Sequence, residues 1–278
     1  MIPMSDKPYW QRQLATKPLY EELLWSRPEN RAHAGKLLIV GGHAQGFARP
    51  AEAYSLAEKA GIGTARVLLP DVLQKTLGRA FVGAEFGPSS PSGSFAAQAL
   101  GELAPLSAWA DSVLWAGDLG RNSETAILIE KSFEHYPGQV VLTCDAVDYI
   151  IATPYPVLQR ENTLLVLSFA QLQKLGINIK YSNAFTFSMD LLRLIDALHE
   201  LTKRYKFGII TKHLDTFVVA LNGEVVTTKL PIEMPVWRLK MAVSAAVWWL
   251  QNPTKPVAAL STGVQQLIPY KDVSIGKI

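Results

Sequence analysis

LysLeuLeuIleVal (36–40), GlyGlyHisAlaGlnGlyPheAlaArgPro (41–50), AlaGluAlaTyrSerLeuAlaGluLysAla (51–60) and ThrAlaArgValLeuLeu (64–69) follow one another in this 278-residue chain. The first run is short, apolar and closed by two glycines, which reads as a strand buried on both faces. Pro50 suits the first turn of a helix and Gly61 its end. Residues 64–69, stopped by Pro70, read as the next strand. Strand, helix and strand at this spacing form a βαβ unit, whose two strands lie parallel.

The alternation continues outward from there. Residues 94–110 carry a helical pattern, 112–116 a strand, 123–133 a helix, 140–143 a strand and 163–167 another buried strand. Met189 to Arg204 has Leu or Ile at 191, 192, 194, 195, 198 and 201, one stripe of an amphipathic helix. Residues 207–211 read as a strand, and 216–221 and 224–230 flank Asn222-Gly223, a strong hairpin signal. Trp237 to Leu250 reads as a last apolar helix. The class expected is α/β, a mainly parallel doubly wound sheet with helices on both faces and an antiparallel hairpin near the edge. Residues 1–35 hold Pro3, Pro8, Pro18 and Pro28 and read as irregular, so residues 1–34 are expected as an arm packed on a body of 35–278.

Composition sets the outer limits. Half the chain is apolar (49%) and 18% is charged, as in a packed globular protein. A net charge of +3, with both signs interleaved, argues against nucleic acid as the partner. No apolar run is long enough to span a membrane, and the N-terminus lacks a secretory pattern, so a cytoplasmic protein is expected. The single cysteine, Cys144, sits in an apolar run and reads as a buried thiol. Trp248-Trp249 reads as core or as contact in a homo-oligomer, the assembly expected.

Ligands of such sheets bind beyond the carboxyl ends of the strands. Four loops there carry glycine or polar groups: 41–50 with Gly42, His43 and Arg49; 116–122 with Asp118 and Gly120, and Ser123 as a helix cap; 144–146 with Asp145; and LysHisLeuAspThr (212–216). His43 is read as solvent-exposed. The histidines show no metal-ligand spacing, so no metal site is expected from them.

Together these segments resemble a family. GlyLysLeuLeuIleValGlyGly (35–42), AlaGlyIleGly (60–63), ValLeuLeuPro (67–70), residues 110–125 around AlaGlyAspLeuGlyArgAsn, ValValLeuThrCysAspAla (140–146) and LysHisLeuAspThr are similar, in order, to the ADP/ATP-dependent NAD(P)H-hydrate dehydratases. Those are ribokinase-fold enzymes that repair hydrated nicotinamide cofactors. The resemblance implies substrate contacts at Gly42, Arg49, Gly120 and Asp145. It implies an ADP or ATP site, with Mg, at Lys212, His213, Leu214, Asp215 and Thr216, and a nucleotide or dinucleotide as partner. This chain also departs from the pattern. Arg49 stands for a small alanine, Asp118 for a glycine, Thr143 for an aspartate, and LeuSerPheAlaGlnLeu (167–172) lacks the family's histidine. The G-x-G-D loop, whose glycine amides form an anion hole and whose Asp is the catalytic carboxylate, is missing, and no glycine occurs between Gly223 and Gly263. Glu233 is the sole nearby substitute. The expectation is a divergent member with degraded catalysis. The alternatives are an active dehydratase or small-molecule kinase with a substitute carboxylate, and a non-catalytic binding or assembly protein.

Overall fold

The computed structural model describes residues 7–77, 81 and 83–269. The strands are β1 (Trp10–Gln13), β2 (Lys36–Gly41), β3 (Thr64–Pro70), β4 (Ala84–Gly87), β5 (Ser112–Gly117), β6 (Gln139–Thr143), β7 (Thr163–Val166), β8 (Gly208–His213), β9 (Thr216–Leu221) and β10 (Glu224–Lys229). The helices are α1 (Glu22–Trp25), α2 (Ala48–Lys59), α3 (Gln74–Leu77), α4 (Leu100–Trp109), α5 (Ser123–His135), α6 (Ala146–Ala152), α7 (Tyr155–Leu158), α8 (Phe169–Asn178), α9 (Leu191–Arg204), α10 (Arg238–Gln251) and α11 (Pro256–Gln266). The ten strands of the described residues join one sheet, ordered β1-β10-β9-β8-β7-β6-β5-β2-β3-β4. Neighbours are parallel except β8 with β9 and β9 with β10, so β9 alone runs against the rest. This is the mainly parallel α/β sheet that the alternation of elements predicts.

The central strands β5, β6 and β7 are buried at every residue, which is why they are written mostly in Leu, Val and Ala rather than in alternation. Helices α2, α10 and α11 pack on one face; α4, α5, α6, α8 and α9 pack on the other. The stripe of α9 points inward at Leu194, Ile195, Leu198 and Leu201. Trp248 and Trp249, each 2% exposed, both belong to the core and not to an external contact. Asn222 and Gly223 take φ of 53° and 80°, the left-handed pair of a type I′ hairpin, as their sequence requires. No helix among the described residues is long and apolar enough to cross a membrane.

Four details differ from the sequence reading. Residues 1–35 are not irregular throughout, because Trp10–Gln13 forms a strand parallel to β10. Its buried side chains hold it there: Trp10 Nε1 donates to Thr227 Oγ1 (2.9 Å), and Gln13 Nε2 to the Ser261 carbonyl (2.8 Å). Helix α10 is not the last, since α11 follows, opened by Pro256 and buried from Val257 to Gln265. Residues 212–216 are no loop: Lys212 and His213 end β8, Thr216 opens β9, and Leu214-Asp215 is the two-residue turn of that hairpin, with His213 paired to Thr216. The cap of α5 is Asn122, whose carboxamide oxygen accepts from Glu124 N (2.7 Å), and not Ser123.

Candidate functional site

Strand β2 lies between β3 and β5. The chain leaves it first toward β3 and later returns to its other side, so the connections after β2 and β5 diverge. This is the topological switch point, where doubly wound sheets open a crevice for ligand. Here the crevice is closed at its base. Val40 pairs with Trp115 and Gly41 with Gly117, so β5 carries one extra residue, Ala116. Such a bulge bends the strand and re-aims the residues beyond it. Gly42 N donates to the Gly117 carbonyl (3.1 Å). A Cβ on Gly41 would stand 2.4 Å from that same oxygen, so only glycine permits the approach.

Arg49, in the first turn of α2, spans the crevice. Its Nη1 lies 3.0 Å from Asp118 Oδ1 and 3.1 Å from Asp145 Oδ1. Its backbone N–H donates to Asp118 Oδ2 (2.8 Å), so Asp118 supplies the negative charge that a helix N-terminus favours. Asp145 Oδ1 also accepts from Asp118 N (2.9 Å), and Oδ2 from Leu119 N (2.8 Å). Both carboxylates are thereby satisfied from within the protein. The three side chains are 40%, 18% and 29% exposed, so the cluster sits at the mouth rather than in the core. Asp118 itself takes φ 58°, a strained value for a residue with a side chain.

A second network adjoins the first. Gln171, on α8, donates from Nε2 to the Cys144 carbonyl (2.8 Å) and to Asp148 Oδ1 (3.0 Å). Its Oε1 accepts from Arg238 Nη1 (2.9 Å), the first residue of α10. Arg238, Gln171 and Asp148 escaped the sequence reading. Ser168-x-x-Gln171, the capping box that fixes Gln171, was a signal for that residue alone; its contacts with Asp148 and Arg238 are long-range and leave no local trace. Cys144 is buried, and burial pushes its thiol up, against the pull of Arg49 and Arg238. The thiol therefore stays protonated at neutral pH. A thiol reagent at pH 7.5 is expected to leave native Cys144 untouched and to modify it fully in denaturant; stoichiometric reaction with the folded protein would contradict this.

Of the residues singled out by sequence, the structure joins Arg49, Asp118 and Asp145 directly. Gly120 and His43 touch one another across the two loops: a Cβ on Gly120 would meet His43 Cδ2 at 2.9 Å. His43 is half-buried, its Nδ1 3.4 Å from the Gly46 carbonyl, and not solvent-exposed as read. Gly42 lies at the crevice, with φ 94°. The 212–216 segment stands apart, on β8 and β9, with β7 between it and β6. His213 is 4% exposed, donates or accepts at Nε2 with the Met189 carbonyl (2.9 Å), and packs its ring on Phe169. Lys212 Nζ points to the Met234 carbonyl at 3.5 Å. Leu214 tips the turn at φ 51° and 79% exposure. Thr216 Oγ1 donates to Asp215 Oδ1 (3.0 Å), and Lys229 pairs with Asp215 at 3.2 Å. Burial opposes the charge on Asp215, but these two partners outweigh it and hold the carboxyl below its ordinary range. Glu233 is exposed in the segment leading to α10.

The sequence matches no protein-family model and no curated protein. Solved structures do match. A ribokinase-like superfamily protein from Enterococcus faecalis superposes with a TM-score of 0.69 at 12% identity, over 95% of this chain and 88% of that one. The ADP/ATP-dependent NAD(P)H-hydrate dehydratase of Bacillus subtilis, co-crystallised with ATP and Mg2+, gives 0.55 at 12% identity, over 89% and 86%. Phosphomethylpyrimidine kinase from Clostridium difficile gives 0.52 at 9% identity, over 83% and 99%. At such identities the likeness concerns architecture, and on it this chain has the ribokinase-like fold.

Proposed function

We propose that this chain is a ribokinase-like pseudoenzyme: it keeps the fold of nucleotide-handling enzymes, fills the switch-point crevice with its own charges, and acts as a binding protein. The Arg49–Asp118–Asp145 cluster carries this reading. Each carboxylate that could meet a substrate already accepts protein donors, and the guanidinium lies where a small side chain would leave room.

The nucleotide expected at 212–216 does not fit the residues present. A triphosphate would meet the ionised Asp215, a buried His213 already hydrogen-bonded, and a leucine at the tip of the turn. Lys212 is left as a point charge without a glycine cradle to complete it. At the start of α10, Trp237 offers no side-chain cap and Arg238 is engaged by Gln171.

The test is calorimetry with ADP, ATP with Mg2+, and NADPH on the unmodified protein and on Arg49→Ala. Few contacts survive the entropy lost on association, so dissociation constants weaker than about 100 μM are expected for the unmodified chain. NADPH binding that appears only in Arg49→Ala supports the filled crevice. Micromolar binding of any of the three to the unmodified chain overturns it.

A further inference from the structure

The switch point is filled, but the rim beside it is open. A cleft of about 580 Å³ lies between the loop after β5 and helices α6 and α8. That is room for a small organic molecule. We propose that this cleft binds a zwitterion of amino-acid type, with its carboxylate on Arg121 and Lys174 and its protonated amine on Asp148. The inference rests on the binding-protein reading above and supplies its ligand class.

The wall charges carry the argument. Arg49 and Arg238, one strand away, are tied to carboxylate or carboxamide oxygens. Arg121 and Lys174, which line the cleft, make no ion pair or hydrogen bond among the described residues. Two cations without a fixed partner on one concavity can receive an anionic group. In the same lining Asp148 is exposed and gives only Oδ1 to Gln171, which leaves its other oxygen for a donor. Asp145, on the same wall, has both oxygens occupied and adds negative charge without a free acceptor.

The floor is apolar and fixed. Tyr149 is anchored at its hydroxyl, which donates to the Gly120 carbonyl (2.7 Å) and accepts from Asn122 N (3.2 Å). Its ring is thereby held in place in the lining, to which Ile151 also contributes. An apolar ligand body finds a rigid surface there, at little entropic cost to the protein.

Both signs of charge in one cleft decide between ligand classes. A nucleoside triphosphate or a dinucleotide brings several negative charges toward Asp145 and Asp148. A polyamine brings several positive charges toward Arg121 and Lys174. A molecule with one of each, separated by a short apolar frame, meets both poles with opposite sign.

The experiment titrates the full-length protein by NMR with the twenty protein amino acids singly. For the tightest, it continues with two probes that share its side chain: the deaminated carboxylic acid and the decarboxylated amine. At least one amino acid is expected to saturate the protein below about 1 mM, with each single-pole probe tenfold weaker or more. Lys174→Ala with Arg121→Ala should erase the preference for the zwitterion over the amine, and Asp148→Asn its preference over the acid. These side chains are on the surface of the cleft, so the variants keep the native spectrum elsewhere. No saturation by any amino acid up to about 10 mM overturns the inference, as does binding that the three substitutions leave unchanged. Turnover of a hydrated nicotinamide cofactor would instead overturn the pseudoenzyme reading, whichever way the titrations fall.

Discussion

Incubated with NADH-hydrate and either ADP or ATP, this protein is expected to regenerate NADH very slowly or not detectably. In the dehydratases it resembles, backbone amides of a glycine loop hold the phosphate and an aspartate moves the proton. Here α10 starts at Trp237-Arg238, with no glycine between Gly223 and Gly263 and the guanidinium bound to Gln171. One preorganised donor is worth about 10²–10³ in rate, and positioned acid–base catalysis about 10²–10⁴. Losing both costs on the order of 10⁴-fold or more even if the substrate enters. The assay follows NADH absorbance over hours at high protein concentration. Turnover within about tenfold of a median enzyme, near 10 per second, would refute the expectation, and its loss in Glu233→Gln would identify the substitute carboxylate.

The second large effect concerns Gly117. A Cβ there would lie 2.5 Å from Asp145 Oδ1, 2.9 Å from Cys144 Cβ and 3.2 Å from Arg49 Cδ, and the backbone sits at φ 104°. Asp145 cannot retreat without surrendering Leu119 N and Asp118 N, and Cys144 is packed in the core. Backbone strain costs about 1–3 kcal/mol, and the displaced hydrogen bonds about 1–3 kcal/mol more. Gly117→Ala is therefore expected to lose about 3 kcal/mol or more in urea denaturation, and to unlock Arg49. Gly101, on α4, is the control: nothing lies within 4 Å of its Cβ position. Gly101→Ala should gain about 0.5–1 kcal/mol, as alanine does over glycine in a helix. Equal stability of Gly117→Ala and the unmodified chain would show that the crevice is not packed as described.

The βαβ core was legible because its punctuation is unambiguous: Gly41-Gly42, Pro50, Gly61 and Pro70 bracket runs with one possible period each. Helix α11 was not, because PVAALSTGVQQ is buried almost all round and has no polar face to mark a helical period. Strand β1 was hidden for another reason. Four residues, WQRQ, carry little strand propensity, and their partner β10 lies at the far end of the sequence. The turn at Leu214 defied turn chemistry, since a leucine at positive φ is what sequence rules exclude. The site was half legible. Arg49, Asp118 and Asp145 stand on three loops of one rim, which left Arg49 either plugging the cleft or pairing with Asp118 or Asp145 across it; that it pairs with both depends on the order β6-β5-β2, which no local pattern encodes.

The pairing of β1 with β10 also sets a clock. Trp10 finds the hydroxyl of Thr227 across 217 residues of chain. At ribosomal speeds of about 5–20 residues per second, Trp10 spends roughly 10–40 s outside the tunnel before its partner emerges. The β2–β7 strands have by then all their strand neighbours, but not α10 and α11 on one face, while the β1 segment waits with a tryptophan uncovered. Strand pairing is thus completed only once β10 has emerged, and α10 and α11, which cover one face of the sheet, follow later still. Any stall before residue 224 leaves a nascent chain whose β1 segment offers itself to chaperones, or to the unpaired edge of another copy.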